Sequence, residues 1–218
     1  MRIAPISIPG INENIYAGFW LRLLAFFLDG YFIKELNSFF ESFDGYDRYS
    51  FVYTTLVTTV LMVIYEVFVV KMFGGTPGKL ILGLKIININ GEDVGWKESF
   101  LRQFVFIAMR FIMIVVMIII AFNTTDESFF SVAFEERTKF MLKQHPEMNW
   151  LVIIIFIWIF SELIVLLTNK RKRSIQDYMA NTIVIKSKFQ SDIKSNLIFN
   201  ETTRSSGLVI RKPDKQDM

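Results

Sequence analysis

Long apolar runs constrain this chain more than any other feature. Phe104–Phe122 is interrupted only by Arg110, and Phe51–Val70 only by the charge of Glu66 among its hydroxyl and apolar residues. A third run, Trp150–Leu167, is almost as clean. At ~1.5 Å per helical residue, each run is long enough to cross the roughly 30 Å hydrocarbon core of a bilayer. Each therefore predicts a transmembrane helix.

The fourth run, residues 19–40, is less obvious because it carries Arg22, Asp29, Lys34 and Glu35. Apolar residues make up 52% of the 218 residues, and the mean hydropathy is +0.39. A soluble protein with four such runs would have too little polar chain to cover them. We therefore predict an all-α membrane protein with a bundle of about four transmembrane helices. The expected spans are about 19–40, 51–71, 103–122 and 150–168.

Several classes of chemistry are disfavoured. The chain has no cysteine, which rules out disulfides and cysteine-bearing zinc sites, and its one histidine, His145, follows a polar segment. The run 74–79 has some likeness to a phosphate-binding loop, but Leu80 stands where a serine or threonine would hold magnesium, and a membrane helix precedes it. We expect no metal site, no cofactor and no enzymatic activity.

The distribution of basic residues predicts the orientation. The segment between spans two and three holds Lys71, Lys79, Lys85, Lys97 and Arg102, and span four is followed by Lys170, Arg171, Lys172 and Arg173. Lysine and arginine are retained on the cytoplasmic side, so we expect both termini to be cytoplasmic. The cluster 170–173 could instead bind nucleic acid, but four basic residues next to a span favour a topology anchor that contacts anionic lipid headgroups. The sequence leaves a homo-oligomer open.

The segments outside the spans carry weaker signals. Thr76, Pro77, Gly78 and Lys79 predict a cytoplasmic turn in which the threonine caps a helix and the proline is its first residue. The β-prone stretches 85–90, which ends in an Asn-Gly turn signal, and 182–185 predict a small cytoplasmic β-ribbon. Residues 128–144 suggest an interfacial helix on the outer side. We expect residues 1–186 to form the transmembrane domain and 187–218 a polar, flexible tail.

Five charges within the spans are candidate functional residues, because each costs roughly 2.5–3.5 kcal/mol if it lies centrally in the bilayer without a partner. Counted from the cytoplasmic ends, at ~1.5 Å per residue, Arg22 lies ~5 Å deep, Glu66 ~7 Å, Glu162 ~10 Å, Arg110 ~12 Å and Asp29 ~15 Å. Matching by depth predicts that Arg22 pairs with Glu66 and Asp29 with Arg110. The three acids exceed the two arginines by one charge, which a proton, a bound cation or an interfacial lysine could balance.

Two interpretations of this cluster stay open. In one, the charges form a structural network that fixes the register of the helices. In the other, the surplus carboxylate is an exchangeable site for a proton or a monovalent cation, as in carriers.

Three stretches of the chain resemble the RDD family of small bacterial membrane proteins, which is named for one arginine and two aspartates. The first runs from Gly18 to Asp29 and supplies Arg22 and Asp29. The second contains Thr76 to Lys79, Gly83 to Lys85 and Leu101-Arg102. The third contains Arg173 to Asp177 and Ala180 to Val184. Asn181 stands where glycine is common in the family.

The resemblance implies a multi-pass protein of the bacterial inner (plasma) membrane. It adds Asp177 to the candidate residues, as either a functional acid or a contact to Arg22 or Lys79 that closes the cytoplasmic mouth. Exchange of monovalent cations for protons has been proposed for some members of the family, which makes such transport the implied function. The alternative is a non-catalytic accessory or scaffold subunit of a membrane complex.

Overall fold

The computed structural model describes residues 4–5, 8, 11–41, 48–123, 125, 140, 143, 145–146 and 149–205. Within these residues the chain forms four long helices, several short ones and two strands. In chain order the elements are α1 (Phe19–Glu41), α2 (Arg48–Phe73), α3 (Pro77–Ile81), β1 (Leu84–Asn88), α4 (Trp96–Asn123), α5 (Asn149–Thr168), α6 (Ile175–Met179), β2 (Thr182–Lys186) and α7 (Gln190–Ser205).

Three stretches are long and apolar enough to cross a membrane: Tyr49–Ile81, Trp96–Asn123 and Asn149–Thr168. They contain α2, α4 and α5 and match three of the predicted spans. The fourth prediction corresponds to α1, which is a continuous helix of 23 residues. The four charges of α1 lower its hydropathy, so its crossing stays a prediction.

The surfaces of the long helices suit lipid better than water. In the 18-residue apolar segment of each of these three stretches, no more than 17% of the residues are buried within the protein. Large side chains point outward from every long helix, including Trp20 on α1, Phe111 on α4 and Phe156 on α5. Apolar area of this extent is far beyond what a soluble monomer exposes. The fold is therefore that of a multi-pass membrane protein.

Strands β1 and β2 pair antiparallel in a two-stranded sheet, which confirms the predicted ribbon. Successive side chains of each strand point to opposite faces of the sheet, as the pleat requires. Leu84, Ile86 and Val184 pack towards the long helices, while Ile183 and Ile185 pack on the opposite face. The sheet therefore lies as a layer at one end of the helix bundle, which we call the sheet end.

Two turns at the sheet end follow from single residues. Gly91, with φ 85°, closes the turn after β1, in agreement with the predicted Asn-Gly signal. Asn181 has φ 54° and links α6 to β2. Asparagine is the residue besides glycine that best tolerates this left-handed conformation, which explains how it replaces the glycine of the family pattern.

Residues 187–205, which we expected to belong to a flexible polar tail, have regular structure. Ser187–Phe189 forms a 3-10 turn, and α7 follows it. Phe189, Ile193 and Leu197 lie four residues apart and are buried against the outer face of the sheet. Residues 206–218 lie outside the described residues, as does most of the predicted interfacial helix at 128–144.

Candidate functional site

Asp177 is the centre of the largest charge cluster at the sheet end. Its side chain is completely buried. Arg22 Nη1 donates to Asp177 Oδ2 at 2.7 Å, and Arg102 Nη1 donates to Asp177 Oδ1. The carboxylate therefore joins α1, α4 and α6 at one point.

Local sequence explains why Asp177 takes this position. Ser174 is the N-cap of α6, and its side chain and that of Asp177 form a capping box: the Ser174 backbone N–H donates to Asp177 Oδ2 at 3.0 Å. Burial by itself would raise the pKa of this carboxyl, but Arg102 and Arg22 beside it hold the pKa well below its ordinary range. Asp177 is thus an ionised anchor for two arginines near neutral pH.

The neighbouring arginine contributes a different kind of contact. Arg173 is buried and donates to two backbone carbonyls, Thr182 O at 3.0 Å and Asp177 O at 2.8 Å. It therefore ties α6 to β2 instead of facing lipid headgroups, as the cluster 170–173 was expected to do. Lys170 is exposed, whereas Arg171 donates to the Ala4 carbonyl at 3.1 Å.

Asp29 forms a second cluster, between α1 and the N-terminus of α3. Its Oδ1 accepts from the Gly78 backbone N–H at 2.7 Å, and its Oδ2 accepts from the Thr76 hydroxyl at 2.5 Å. Lys79 Nζ lies 3.7 Å from Oδ2. The two oxygens are therefore both engaged, and Asp29 caps a helix that belongs to another part of the chain.

The predicted turn is correct in position and wrong in one detail. Thr76 is the N-cap residue of α3 and Pro77 its first residue, as expected. The Thr76 side chain makes no cap bond within its own helix, because its hydroxyl donates to Asp29. A Cβ on Gly78 would collide with the Ala25 carbonyl oxygen of α1 and lie 2.8 Å from Asp29 Oδ1, so only glycine lets α3 approach α1 this closely.

Glu162, on α5, accepts a hydrogen bond from the first turn of α6, as Asp29 does from the first turn of α3. Its Oε1 accepts from the Gln176 backbone N–H at 2.9 Å, and the Ser174 side chain also hydrogen-bonds to it. An acid of a long helix thus binds the first turn of each short helix.

Glu66 and Arg110 pair across α2 and α4. Arg110 Nη2 donates to Glu66 Oε1 at 2.9 Å. Among the described residues, Glu66 Oε2, Arg110 Nη1 and the Tyr65 hydroxyl are buried without a hydrogen-bond partner. This pair is therefore less completely satisfied than the clusters around Asp29 and Asp177.

Both pairings predicted from depth are wrong. Arg22 binds Asp177, which is the contact given above as the alternative role of Asp177, and not Glu66; Glu66 pairs with Arg110, which was assigned to Asp29. The surplus negative charge also disappears in the described part of the chain, because Lys79 enters from the interface beside Asp29. Four acids (Asp29, Glu66, Glu162 and Asp177) are accompanied by four basic side chains (Arg22, Lys79, Arg102 and Arg110).

Arg102 is the site residue that sequence reasoning missed. It served there only as one of the basic residues that set the orientation. Its side chain is 5% exposed and also donates to the Thr182 hydroxyl at 2.6 Å. A signal existed, since Leu101-Arg102 is part of the family pattern and lies just before the apolar run 104–122.

Comparison with known proteins agrees with this architecture. The model of the RDD family matches residues 16–181. The chain is 33% identical over 130 residues to the uncharacterized protein YxaI of Bacillus subtilis (strain 168), covering 49% of this chain and 86% of that protein. It is 30% identical over 125 residues to the uncharacterized membrane protein YteJ of the same organism, covering 52% of this chain and 74% of that protein.

No solved structure matches the chain at a significant level. The family match nevertheless covers most of the chain, and it includes the arginine and both aspartates that the clusters above bring into contact with other elements. The chain therefore belongs to the RDD family.

Proposed function

We propose that this protein exchanges monovalent cations for protons across the membrane, and that Glu66 is the exchanging carboxylate. The observation that carries the proposal is the incomplete Glu66–Arg110 pair. One carboxylate oxygen and one guanidinium nitrogen of this pair are buried in the bundle without a partner among the described residues.

An incomplete buried pair is a place where a small ion gains free energy by binding. Each unsatisfied buried polar atom costs about 1–3 kcal/mol, which a bound proton or cation at Glu66 Oε2 would offset. A carboxylate oxygen that binds a cation loses it when an O–H bond forms at the same atom. Proton and cation therefore compete for Glu66, and that competition is the requirement for exchange.

Arg110 has two arrangements in this mechanism, one paired with Glu66 and one released from it. While Glu66 is free of both ligands, the ion pair with Arg110 keeps the site neutral. When Glu66 binds a proton, the arginine loses its counter-charge and is free to turn towards another acceptor. The Tyr65 hydroxyl, the neighbour of Glu66 on α2, is a second unsatisfied polar group at this level.

Asp29, the deepest acid by sequence depth, is a weaker candidate for the exchanging group. Its two oxygens already accept from Gly78 and Thr76, and Lys79 lies beside them. Binding a cation there would require α3 to leave its place on α1. Asp177 is likewise held by two arginines.

The test is ion and proton flux in proteoliposomes. Wild-type vesicles should move protons when a sodium or potassium gradient is imposed, Glu66→Gln should abolish the movement, and the surface variant Glu13→Gln should leave it unchanged. Coupled flux in Glu66→Gln together with its loss in a folded Asp29→Asn would move the exchange site to Asp29. Wild-type vesicles without coupled flux for any monovalent cation, over pH ~6 to 9, would reject exchange altogether.

We also propose that the sheet end faces the cytoplasm of a bacterial cell, which places both termini inside. The lysine and arginine bias supports this orientation. The exposed Lys170 would then lie at the level of anionic lipid headgroups. Single cysteines introduced at Ser42 and Ser131 should react with an impermeant reagent from outside intact cells, and one at Ser187 should not. Labelling of Ser187 from outside would reverse the orientation.

A second candidate function is that of an accessory or scaffold subunit of a membrane complex. The closed networks around Asp29 and Asp177 favour it, because charges of this kind can serve structure alone. In that case a tagged protein should co-purify with one membrane partner in mild detergent, and the purified protein should show no coupled flux.

A further inference from the structure

The elements at the sheet end occur twice, at a constant distance along the chain. α3 and β1 cover residues 77–81 and 84–88, while α6 and β2 cover 175–179 and 182–186, so that each boundary recurs 98 residues later. The backbone conformation recurs at the same distance. Left-handed residues stand at corresponding places before the short helix (Gly74, φ 75°, and Lys172, φ 50°) and before the strand (Gly83, φ 65°, and Asn181, φ 54°).

Hydrogen bonds repeat at the same distance of 98 residues. The first-turn bond Leu80 N–H to Thr76 O, 3.0 Å, corresponds to Tyr178 N–H to Ser174 O, 3.1 Å. The donors of two acid contacts also correspond: Gly78 N–H donates to Asp29 and Gln176 N–H to Glu162, although Asp29 stands on α1 and Glu162 on α5, the counterpart of α2. Corresponding residues thus receive a carboxylate from a long helix in both cases.

The segments that precede these elements repeat with a distance of 77 residues. α1 begins at Phe19 and α4 at Trp96, each directly after a glycine whose carbonyl accepts from the first turn. Before each helix lies one residue bridged to a strand. Tyr16 is bridged to Ile185, and Asp93 to Ile87, which is the residue that corresponds to Ile185.

The pairing of the strands shows how the two sets are related. β1 and β2 are antiparallel, and the pair at their centre, Ile86 opposite Val184, consists of corresponding residues. The two outer pairs are Leu84 opposite Lys186 and Asn88 opposite Thr182. Leu84 corresponds to Thr182 and Asn88 to Lys186, so the correspondence turns each outer pair into the other. A local two-fold axis therefore passes between Ile86 and Val184, and since α2 and α5 both lead towards the sheet, it runs along the helix bundle.

We infer that residues 16–88 and 93–186 are two corresponding halves that associate as the subunits of a dimer do, and that the surface of each half fits the other half. The strand ladder and the packing of α2 on α4 lie between the halves. Two buried ion pairs also cross this interface, Arg22 to Asp177 and Glu66 to Arg110. Tyr16 of the first half is bridged to the strand of the second, so each half lacks part of its sheet without the other.

The halves are not identical at one important position. Lys79, third in α3, corresponds to Asp177, third in α6. The lysine requires an acid, which Asp29 supplies, whereas the aspartate requires cations, which Arg22 and Arg102 supply. Of these pairs only Arg22 to Asp177 crosses between the halves, and in a dimer of two first halves Arg22 would meet Lys79 instead, so a half fits the other half better than a copy of itself.

Cleavage of the short link between the halves tests this inference. A site for a specific protease is inserted between Asn90 and Gly91 of the full chain, and the purified protein is cut in detergent. We expect the fragments 1–90 and 91–218 to elute together in a 1:1 ratio, with the melting transition retained. Separation of the fragments, when the uncut variant elutes as folded protein, would overturn the inference.

Variants of the cut protein show whether the association uses this interface. Arg110→Gln should raise the dissociation constant of the fragments at least tenfold, which corresponds to about 1.4 kcal/mol. Lys188→Gln, which removes an exposed pair with Glu13, should leave the constant unchanged. Equal effects of the two variants would show that the fragments associate elsewhere. If the insertion prevents folding, the fragments 1–90 (tagged) and 91–218 are co-expressed, and failure of the tagged fragment to retain the other would refute the inference.

Discussion

Replacing Asp177 by asparagine removes one negative charge from a site that has no access to solvent. The side chain keeps its shape and can still accept one hydrogen bond, for instance in the capping box with Ser174. The asparagine NH2 group, however, is a hydrogen-bond donor, and it faces an arginine N–H where the carboxylate oxygen of Asp177 had accepted. Arg22 and Arg102 are then left buried without the carboxylate that both of them bind.

The magnitude follows from the cost of stranding a buried charge. Breaking a buried ion pair by removing one partner costs about 3–5 kcal/mol. Since Asp177 serves two arginines, Asp177→Asn should lie at the upper end of that range. A typical folded domain is stable by only ~5–15 kcal/mol, so the variant should lose a large fraction of its free energy of unfolding.

The assay is unfolding of the detergent-solubilised protein by heat or denaturant, with Glu13→Gln as the exposed control. A double-mutant cycle identifies the partner: Arg22→Gln and Asp177→Asn should couple by ~0.5–3 kcal/mol, whereas Arg22→Gln and Glu66→Gln should add to within ~0.5 kcal/mol. If Asp177→Asn costs no more than the control, or if the first cycle is additive, the proposed arrangement of the charges is wrong.

Three further outcomes are expected. Gly78→Ala should destabilise the protein by about 1–3 kcal/mol in thermal unfolding, because the new Cβ meets the Ala25 carbonyl and Asp29. Gly30→Ala, where a Cβ meets nothing within 4 Å, should be neutral or stabilise by up to ~1 kcal/mol. Asn181→Ala should cost about 1 kcal/mol and Asn181→Gly much less, since φ is 54° there; equal melting temperatures would contradict this. Because the pKa of Asp177 is lowered in the folded protein, its contribution is fully present above its ordinary pKa of 3.8 and is lost as the pH falls below that value, so an acid titration of wild type should show a loss that Asp177→Asn lacks.

The spans and the ribbon were predictable from the sequence because they depend on local patterns. An apolar run of sufficient length predicts a membrane helix, and β-prone stretches beside a turn signal predict strands. The helical course of residues 187–205 was predictable too, since Phe189, Ile193 and Leu197 have helical spacing. It was missed because the polar composition of the segment received more weight than this periodicity.

Apart from the contact of Asp177 with Arg22, which the family resemblance suggested as an alternative, the partners of the charges could not be obtained in the same way. Depth along the bundle axis is one coordinate of three, and it says nothing about the rotation of a helix or about which helices are neighbours. Arg22 and Glu66 have similar depths, yet the packing of α2 on α4 turns Glu66 towards Arg110. Asp177 and Lys79 lie outside the spans, so a count of charges within the spans omitted the residues that complete both clusters.

The acids that cap α3 and α6 also bear on how the chain assembles. Each of these helices has five residues, which is far too short to be stable in water without external contacts. The contacts come from Asp29 and Glu162 on helices α1 and α5. Since each short helix depends on a long helix for its contacts, we expect the long helices to insert first and the two strands to pair last. The sheet would then complete a bundle that has already formed.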